Sequence, residues 1–87
     1  MKLKEGFMLR QVAGQYMAVP LAERSTELHG MLTMNETGAF LWEQLSQEQT
    51  VDSLVAALVD NYDVTIEVAR QATQDFIAQL EREQVLQ

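Results

Sequence analysis

The sequence contains no cysteine, and it has only one proline, four glycines and one histidine among its 87 residues. The absence of cysteine excludes disulfides and thiolate chemistry, and the lone His29 predicts no metal centre. The few glycines form no phosphate-binding loop. Three serines have only His29 as a possible imidazole base, and nothing in their spacing associates them with it; they are Ser25, Ser46 and Ser53. We therefore expect a protein that is not an enzyme and binds neither metal nor cofactor.

Long apolar runs are also missing. Residues 1–6 are not followed by the apolar core of a signal peptide, and no run approaches the length needed to span a membrane. We therefore expect a cytoplasmic protein without a membrane partner. With 47% apolar and 22% charged residues, the composition is that of a globular chain, and we expect residues 1–87 to form one domain.

Basic residues are scarce and unevenly placed. Six lysines and arginines face thirteen acidic residues, which gives a net charge of −7. Residues 1–24 hold four basic and two acidic residues, a balance of +2, whereas residues 25–87 hold two basic and eleven acidic residues, a balance of −9. Nucleic-acid backbones require basic surfaces, so this distribution argues against a nucleic-acid partner.

The first third of the chain has the pattern of β-strands. Phe7–Val12 and Gln15–Pro20 read as two strands joined by Ala13-Gly14, a two-residue hairpin turn in which the glycine supplies a positive φ. Leu21–His29 is polar without a clear period and is interpreted as a loop. Gly30–Met34 is predicted to be the third strand.

The hairpin turn also fixes the predicted strand register. Pairing across the turn sets Leu9 opposite Ala18 on one face and Met8 opposite Val19 on the other. Both faces are partly apolar, so this pattern leaves open which face lies against the core.

Three helices are predicted to follow the strands. Asn35 is an N-cap candidate for a helix over residues 36–45, and its side chain can accept from the backbone N–H of Thr37 or Gly38. Thr50 and Thr65 are predicted to cap the second and third helices, each of which carries an apolar stripe at helical spacing. The final apolar pair, Val85 and Leu86, is predicted to fold back onto the core.

Two residues of the first helix and one of the third have informative positions. A glycine inside a helix, such as Gly38, lowers helix stability by about 1 kcal/mol relative to alanine. Close approach of another backbone, such as the preceding strand, would explain why a glycine occurs here. Trp42 is predicted to be a core residue. Ile77 lies off the centre of the inner face of the third helix, where it could either complete the core or line a groove.

Four segments together resemble one family. They are Val19–Arg24, Gly30–Glu43 with its Asn-Glu-Thr-Gly run, Thr50–Val55 and Phe76–Leu80. In these segments the sequence closely resembles the PqqD family, named after a pyrroloquinoline quinone biosynthesis protein, over nearly its whole length. The family usually has a glycine before the final apolar pair, where this chain has Gln84.

The resemblance implies a small α+β domain of the winged helix-turn-helix type, with a three-stranded antiparallel sheet followed by three helices. It implies an adaptor that binds the leader segment of a ribosomally made precursor peptide and presents it to a modifying enzyme, commonly a radical SAM maturase. The leader would dock as an added strand on the third strand, against the last helix. The residues expected to bind it are Met31, Leu32 and Thr33 at the strand edge and Arg70, Gln74, Ile77 and Glu81 on helix 3.

Two alternatives come from other classes of protein. A similar arrangement of helices and sheet serves winged-helix DNA-binding proteins, in which one helix, such as helix 3, would enter the major groove. Helix 3 carries two arginines against four acidic residues, so charge disfavours this alternative. A protein-dimerisation or interaction module without a peptide ligand is the other alternative, and the sequence pattern leaves it open.

We predict no sequence-independent affinity for DNA at physiological salt, because the balance of −9 over residues 25–87 repels phosphates. A mobility-shift titration with random duplex DNA measures this. Micromolar binding that weakens steeply with added salt would contradict it and favour the DNA-binding alternative.

Overall fold

A computed structural model describes residues 1–21 and 32–87. Three strands precede three helices, as the sequence predicts. The strands are β1 (Phe7–Val12), β2 (Gln15–Pro20) and β3 (Leu32–Met34), and the helices are α1 (Glu36–Gln44), α2 (Val51–Asn61) and α3 (Ile66–Arg82). Residues 22–29 of the predicted loop Leu21–His29, and Gly30 and Met31 of the predicted third strand, lie outside the described residues.

β1 and β2 form the predicted hairpin. Leu9 pairs with Ala18 and Met8 with Val19, which confirms the predicted register. The turn contains two residues with positive φ, Ala13 at 53° and Gly14 at 80°. Positive φ at both central positions is the type I′ geometry that matches the twist of the paired strands, so an alanine occupies a position that favours glycine or asparagine.

One face of the sheet packs on the helices. Ala18, Leu32 and Met34 are buried on that face, and Phe7 and Leu9 are half-buried beside them. The opposite face exposes side chains, as Met8 does with 42% of its surface accessible and as Thr33 does in β3. The face that carries Leu9 and Ala18 is therefore the core face, which the sequence pattern had left open.

The joint between β3 and α1 has the predicted cap. The side chain of Asn35 accepts a hydrogen bond from the backbone N–H of Gly38 at 2.8 Å. A Cβ at Gly38 would lie 3.0 Å from the Cβ of Met34 and 3.1 Å from Cε1 of Phe76. The glycine is thus required by close approach of the preceding strand, as predicted, and also of α3.

The three helices bury a shared core. Thr50 caps α2 in a reciprocal pair with Ser53, and the Thr65 side chain accepts from the backbone N–H of Val68 at the start of α3. Trp42 is 6% exposed and meets Phe7 of β1 edge to face, with ring centroids 6.1 Å apart, which confirms it as a core residue. The largest fully buried aliphatic residues are Leu41, Leu45, Leu54, Leu58, Leu80 and Val85.

The two ends of the described chain meet. Leu3 forms an antiparallel bridge with Leu86, and Val85 is fully buried, which confirms that the final apolar pair folds back onto the core. The pairing with the N-terminal segment was not predicted. Gln84 has a φ of 59°, the left-handed conformation that glycine adopts without strain. The residue that departs from the family pattern thus keeps the backbone shape of a glycine.

We predict that Gly38→Ala destabilises the domain by about 1–2 kcal/mol. The gain in helix propensity of about 1 kcal/mol is smaller than the cost of overpacking against Met34 and Phe76. Thermal unfolding of the variant measures this, with Thr37→Ala in the same helical turn as the control for propensity alone. A melting midpoint at or above that of the parent chain would contradict the expectation.

We predict that Gln84→Gly stabilises the domain by about 1 kcal/mol, because it removes the left-handed strain of a residue with a Cβ. The neighbouring Glu83 has a φ of −85°, so Glu83→Gly gains nothing in the folded state and is expected to lower stability. Urea unfolding of both variants is the measurement. Equal shifts in the two variants would show that Gln84 is not strained.

Candidate functional site

β3 forms one edge of the sheet. The strand order is β1-β2-β3, so β2 covers one side of β3 and no other strand among the described residues covers its second side. An edge of this kind presents unpaired backbone N–H and C=O groups to an incoming chain.

Alternate residues of β2 form backbone hydrogen bonds with β1, and one observed hydrogen bond shows which residues these are. The N–H of Leu21 donates to the carbonyl of Gly6 at 2.8 Å, just beyond the end of the hairpin. In an antiparallel ladder, hydrogen-bonded pairs alternate with pairs that make no such bonds. Counting in steps of two from this bond, the residues of β2 that bond to β1 are Gln15, Met17 and Val19.

The remaining residues of β2 bond to β3, and they fix which residue of β3 faces outward. Tyr16 pairs with Met34 and Ala18 pairs with Leu32, so these pairs hold the hydrogen bonds between the two strands. Thr33 lies between them and opposite Met17, in a pair without such bonds. The N–H and C=O of Thr33 therefore point away from β2, towards the side of β3 that no strand of the described residues covers.

A groove runs beside this edge, between β3 and α3. It encloses a cavity of about 460 Å³. Thr33, Met34 and Asn35 line it from the strand side, and Leu41 of α1 lines it together with Gly38. We call this feature the β3–α3 groove.

The helix side of the β3–α3 groove is one stripe of α3. Ala72, Asp75, Phe76 and Gln79 line the cavity, at the three- and four-residue spacings that place side chains on one helix face. Phe76 is 7% exposed and packs towards Gly38, so it joins the groove to the core. Val68 continues this stripe one turn earlier and is 56% exposed, which adds apolar surface at that end.

The structure brings two of the predicted site residues to the β3 edge. Leu32 is buried with its backbone paired to β2, whereas Thr33 presents its backbone outward. Met31 lies outside the described residues. The backbone of Leu32 therefore faces β2 and that of Thr33 faces the edge, although the sequence analysis predicted the same binding role for both residues.

The four predicted residues of α3 lie away from the β3–α3 groove. Arg70 donates to the carboxylate of Asp52 in α2 at 3.1 Å, and Gln74 is exposed. Ile77 is 9% exposed, and it borders a different cavity together with Glu81.

This second cavity, of about 490 Å³, lies where the chain ends meet. Met1, Lys4 and Leu86 line it together with Ile77 and Glu81. The predicted flank of α3 therefore faces the chain ends and α2, and peptide binding by that flank stays a prediction.

Sequence reasoning did not single out Ala72, Asp75, Phe76 and Gln79 as site residues. Ala72 and Phe76 belong to the apolar stripe of helix 3, which is typical of core residues, and Asp75 is one of the four acidic residues of that helix. Gly38 is the residue that could have located the groove. A glycine inside a helix indicates close packing, and here it lies where β3, α1 and α3 meet.

The described residues contain neither a metal-binding group nor a membrane-spanning helix. Within residues 1–21 and 32–87, no group of three or more histidine, aspartate or glutamate side chains is placed to hold a metal ion. In the same part of the chain, no helix has the length and apolar character required to cross a membrane.

A free strand edge beside a helix-lined groove defines a class of small α+β domain suited to docking an extended peptide. Residues 18–86 match the family model described as coenzyme PQQ synthesis protein D (PqqD). The chain therefore belongs to the PqqD family, whose members are non-catalytic peptide-binding modules.

A solved structure has the same fold. It is described as TbiB1 in complex with the TbiA(beta) leader peptide, and it is similar to this chain with a TM-score of 0.74. The two sequences are 16% identical, and the match covers 100% of this chain and 95% of that chain. No curated protein matches the sequence.

Proposed function

We propose that this protein binds the leader segment of a ribosomally made precursor peptide by strand addition to β3 and presents the peptide to a modifying enzyme. The observation that carries the proposal is the outward-facing backbone of Thr33 above the β3–α3 groove. Membership of the PqqD family supports it, as does the fold shared with TbiB1, which binds the TbiA(beta) leader peptide.

In strand addition, backbone hydrogen bonds supply affinity and side-chain contacts supply specificity. The N–H and C=O of Thr33 would form hydrogen bonds to any extended peptide, whatever its sequence. Alternate side chains of the added strand would point into the β3–α3 groove, where Met34, Leu41 and Phe76 offer an apolar surface. A leader with apolar residues at alternate positions therefore fits the site.

The proposed binding residues are Thr33 at the edge and the stripe of Ala72, Asp75, Phe76 and Gln79 on α3. Leu32 supports this edge through its pairing with Ala18. The flank predicted from the sequence, with Arg70, Gln74, Ile77 and Glu81, is the competing location on α3. Within the same proposal, residues 1–87 act as a single cytoplasmic domain, and the modifying enzyme is a radical SAM maturase.

We predict that Thr33→Pro abolishes peptide binding, because it removes the N–H that faces the free edge. The probe is a set of 15-residue peptides selected on the parent protein from a random display library. NMR titration with a selected peptide is expected to shift the amide signals of Thr33 and of the groove residues of α3. Shifts confined to α2 would contradict the proposal.

Gln11→Pro is the matched control for this experiment. Gln11 lies opposite Tyr16, so its N–H faces outward at the other edge of the sheet, and proline there removes an equivalent donor. We expect Gln11→Pro to bind the selected peptides as the parent does. Circular dichroism of both variants checks that the fold is retained. Binding by a folded Thr33→Pro variant would overturn strand addition to β3.

A second pair of variants decides between the two flanks of α3. Ala72→Arg places a long side chain in the β3–α3 groove, and Gln74→Arg places the same side chain on the opposite flank. We expect Ala72→Arg to weaken binding by about tenfold or more, which corresponds to about 1.4 kcal/mol, and Gln74→Arg to leave it unchanged. The reverse result would assign the peptide to the flank predicted from the sequence.

A further inference from the structure

The β3–α3 groove contains one charged side chain among its described lining residues, and that side chain is the carboxylate of Asp75. Its neighbours in the lining are apolar or uncharged polar residues, with Ala72 and Gln79 one turn away on either side. A single charge in an otherwise uncharged groove imposes a requirement on the chemistry of whatever lies there.

One hydrogen bond orients the carboxylate of Asp75 and uses only part of its capacity to accept hydrogen bonds. The side-chain amide of Gln71 donates to its Oδ1 at 2.9 Å, across one turn of α3. Among residues 1–21 and 32–87, Asp75 takes part in no ion pair. No other side chain of these described residues donates to the carboxylate, which leaves acceptor sites towards the groove for a donor from a ligand.

Among the described residues, the surroundings of Asp75 add negative charge. Glu36 borders an adjoining cavity of about 370 Å³ that shares Thr33, Met34 and Asn35 with the groove. The nearest arginine on the same stripe of α3 is Arg82, seven residues away, which corresponds to about 10 Å along the helix axis. That separation is close to the Debye length at physiological salt, so Arg82 compensates Asp75 only weakly.

We infer that the peptide bound in the β3–α3 groove carries a lysine or arginine opposite Asp75, flanked by apolar residues that pack on Met34 and Phe76. This inference rests on the proposed function and adds the chemical class of the leader. Gln71 uses one acceptor site on Oδ1, and the remaining acceptor sites on the two carboxylate oxygens can accept from a cation. Lysine fits through a single contact and arginine through one or two contacts.

Parallel selections from one random-peptide display library test the inference. The targets are the parent protein, Asp75→Lys, and Asp63→Lys as a control that makes the same change in net charge in the turn between α2 and α3. We expect the parent and Asp63→Lys to select peptides with lysine or arginine at one position. We expect Asp75→Lys to select aspartate or glutamate at that position.

Binding affinities of single peptides then test whether the preference for a cationic residue comes from its contact with Asp75. For a selected lysine peptide, Asp75→Asn is expected to weaken binding by roughly three- to tenfold, as loss of a partly covered charge pair does. For the same peptide with norleucine in place of that lysine, Asp75→Asn should change nothing. Equal losses for the two peptides would show that Asp75 acts on the fold of the groove and would overturn the inference.

The outcomes also separate this inference from the proposed function. Peptides that shift the NMR signals of Thr33 and Phe76 but show no preference for a cationic residue would overturn the inference alone. A preference for lysine that persists unchanged in Asp75→Lys would do the same. Selected peptides that leave Thr33 and Phe76 unperturbed would overturn the proposed function, and this inference with it.

Discussion

The close packing of Gly38 against Met34 and Phe76 is the constraint on which the rest of the structure depends. It brings the end of β3, the first turn of α1 and the middle of α3 within van der Waals distance of one point. The Asn35 cap fixes the chain direction at this point, because it ends the strand and starts the helix within one residue. Any larger residue at position 38 would have to move the wall of the β3–α3 groove.

The two flanks of α3 have different surroundings. One flank closes the core against α2 and the chain ends, where Ile77 and Leu80 are buried and Arg70 pairs with Asp52. The other flank carries Ala72, Asp75, Phe76 and Gln79 beside β3, and it leaves space that the described residues do not fill. A single helix thus closes the core on one side and borders the β3–α3 groove on the other.

The sequence predicted the elements well because local rules decide them. The Asn35, Thr50 and Thr65 caps and the turn at Ala13-Gly14 involve neighbours in the chain, and all four were found where predicted. The groove was located less well, because helical angles give the order of residues around α3 but not the side that meets β3. That side is set by the contact between Gly38 and Phe76, which are far apart in sequence. The pairing of Leu3 with Leu86 was missed for the same reason.

The shortness of β3 has a consequence for alignment of a bound peptide. Among the described residues of β3, Thr33 alone offers an outward pair of backbone groups, so few backbone hydrogen bonds would hold an added strand in place on this edge. A strand that slides by two residues keeps the same faces and the same hydrogen-bonding pattern. In a strand-addition complex, the fit of side chains in the groove would therefore determine which residue of the peptide lies opposite Thr33. It would set how far along the precursor the modified segment begins.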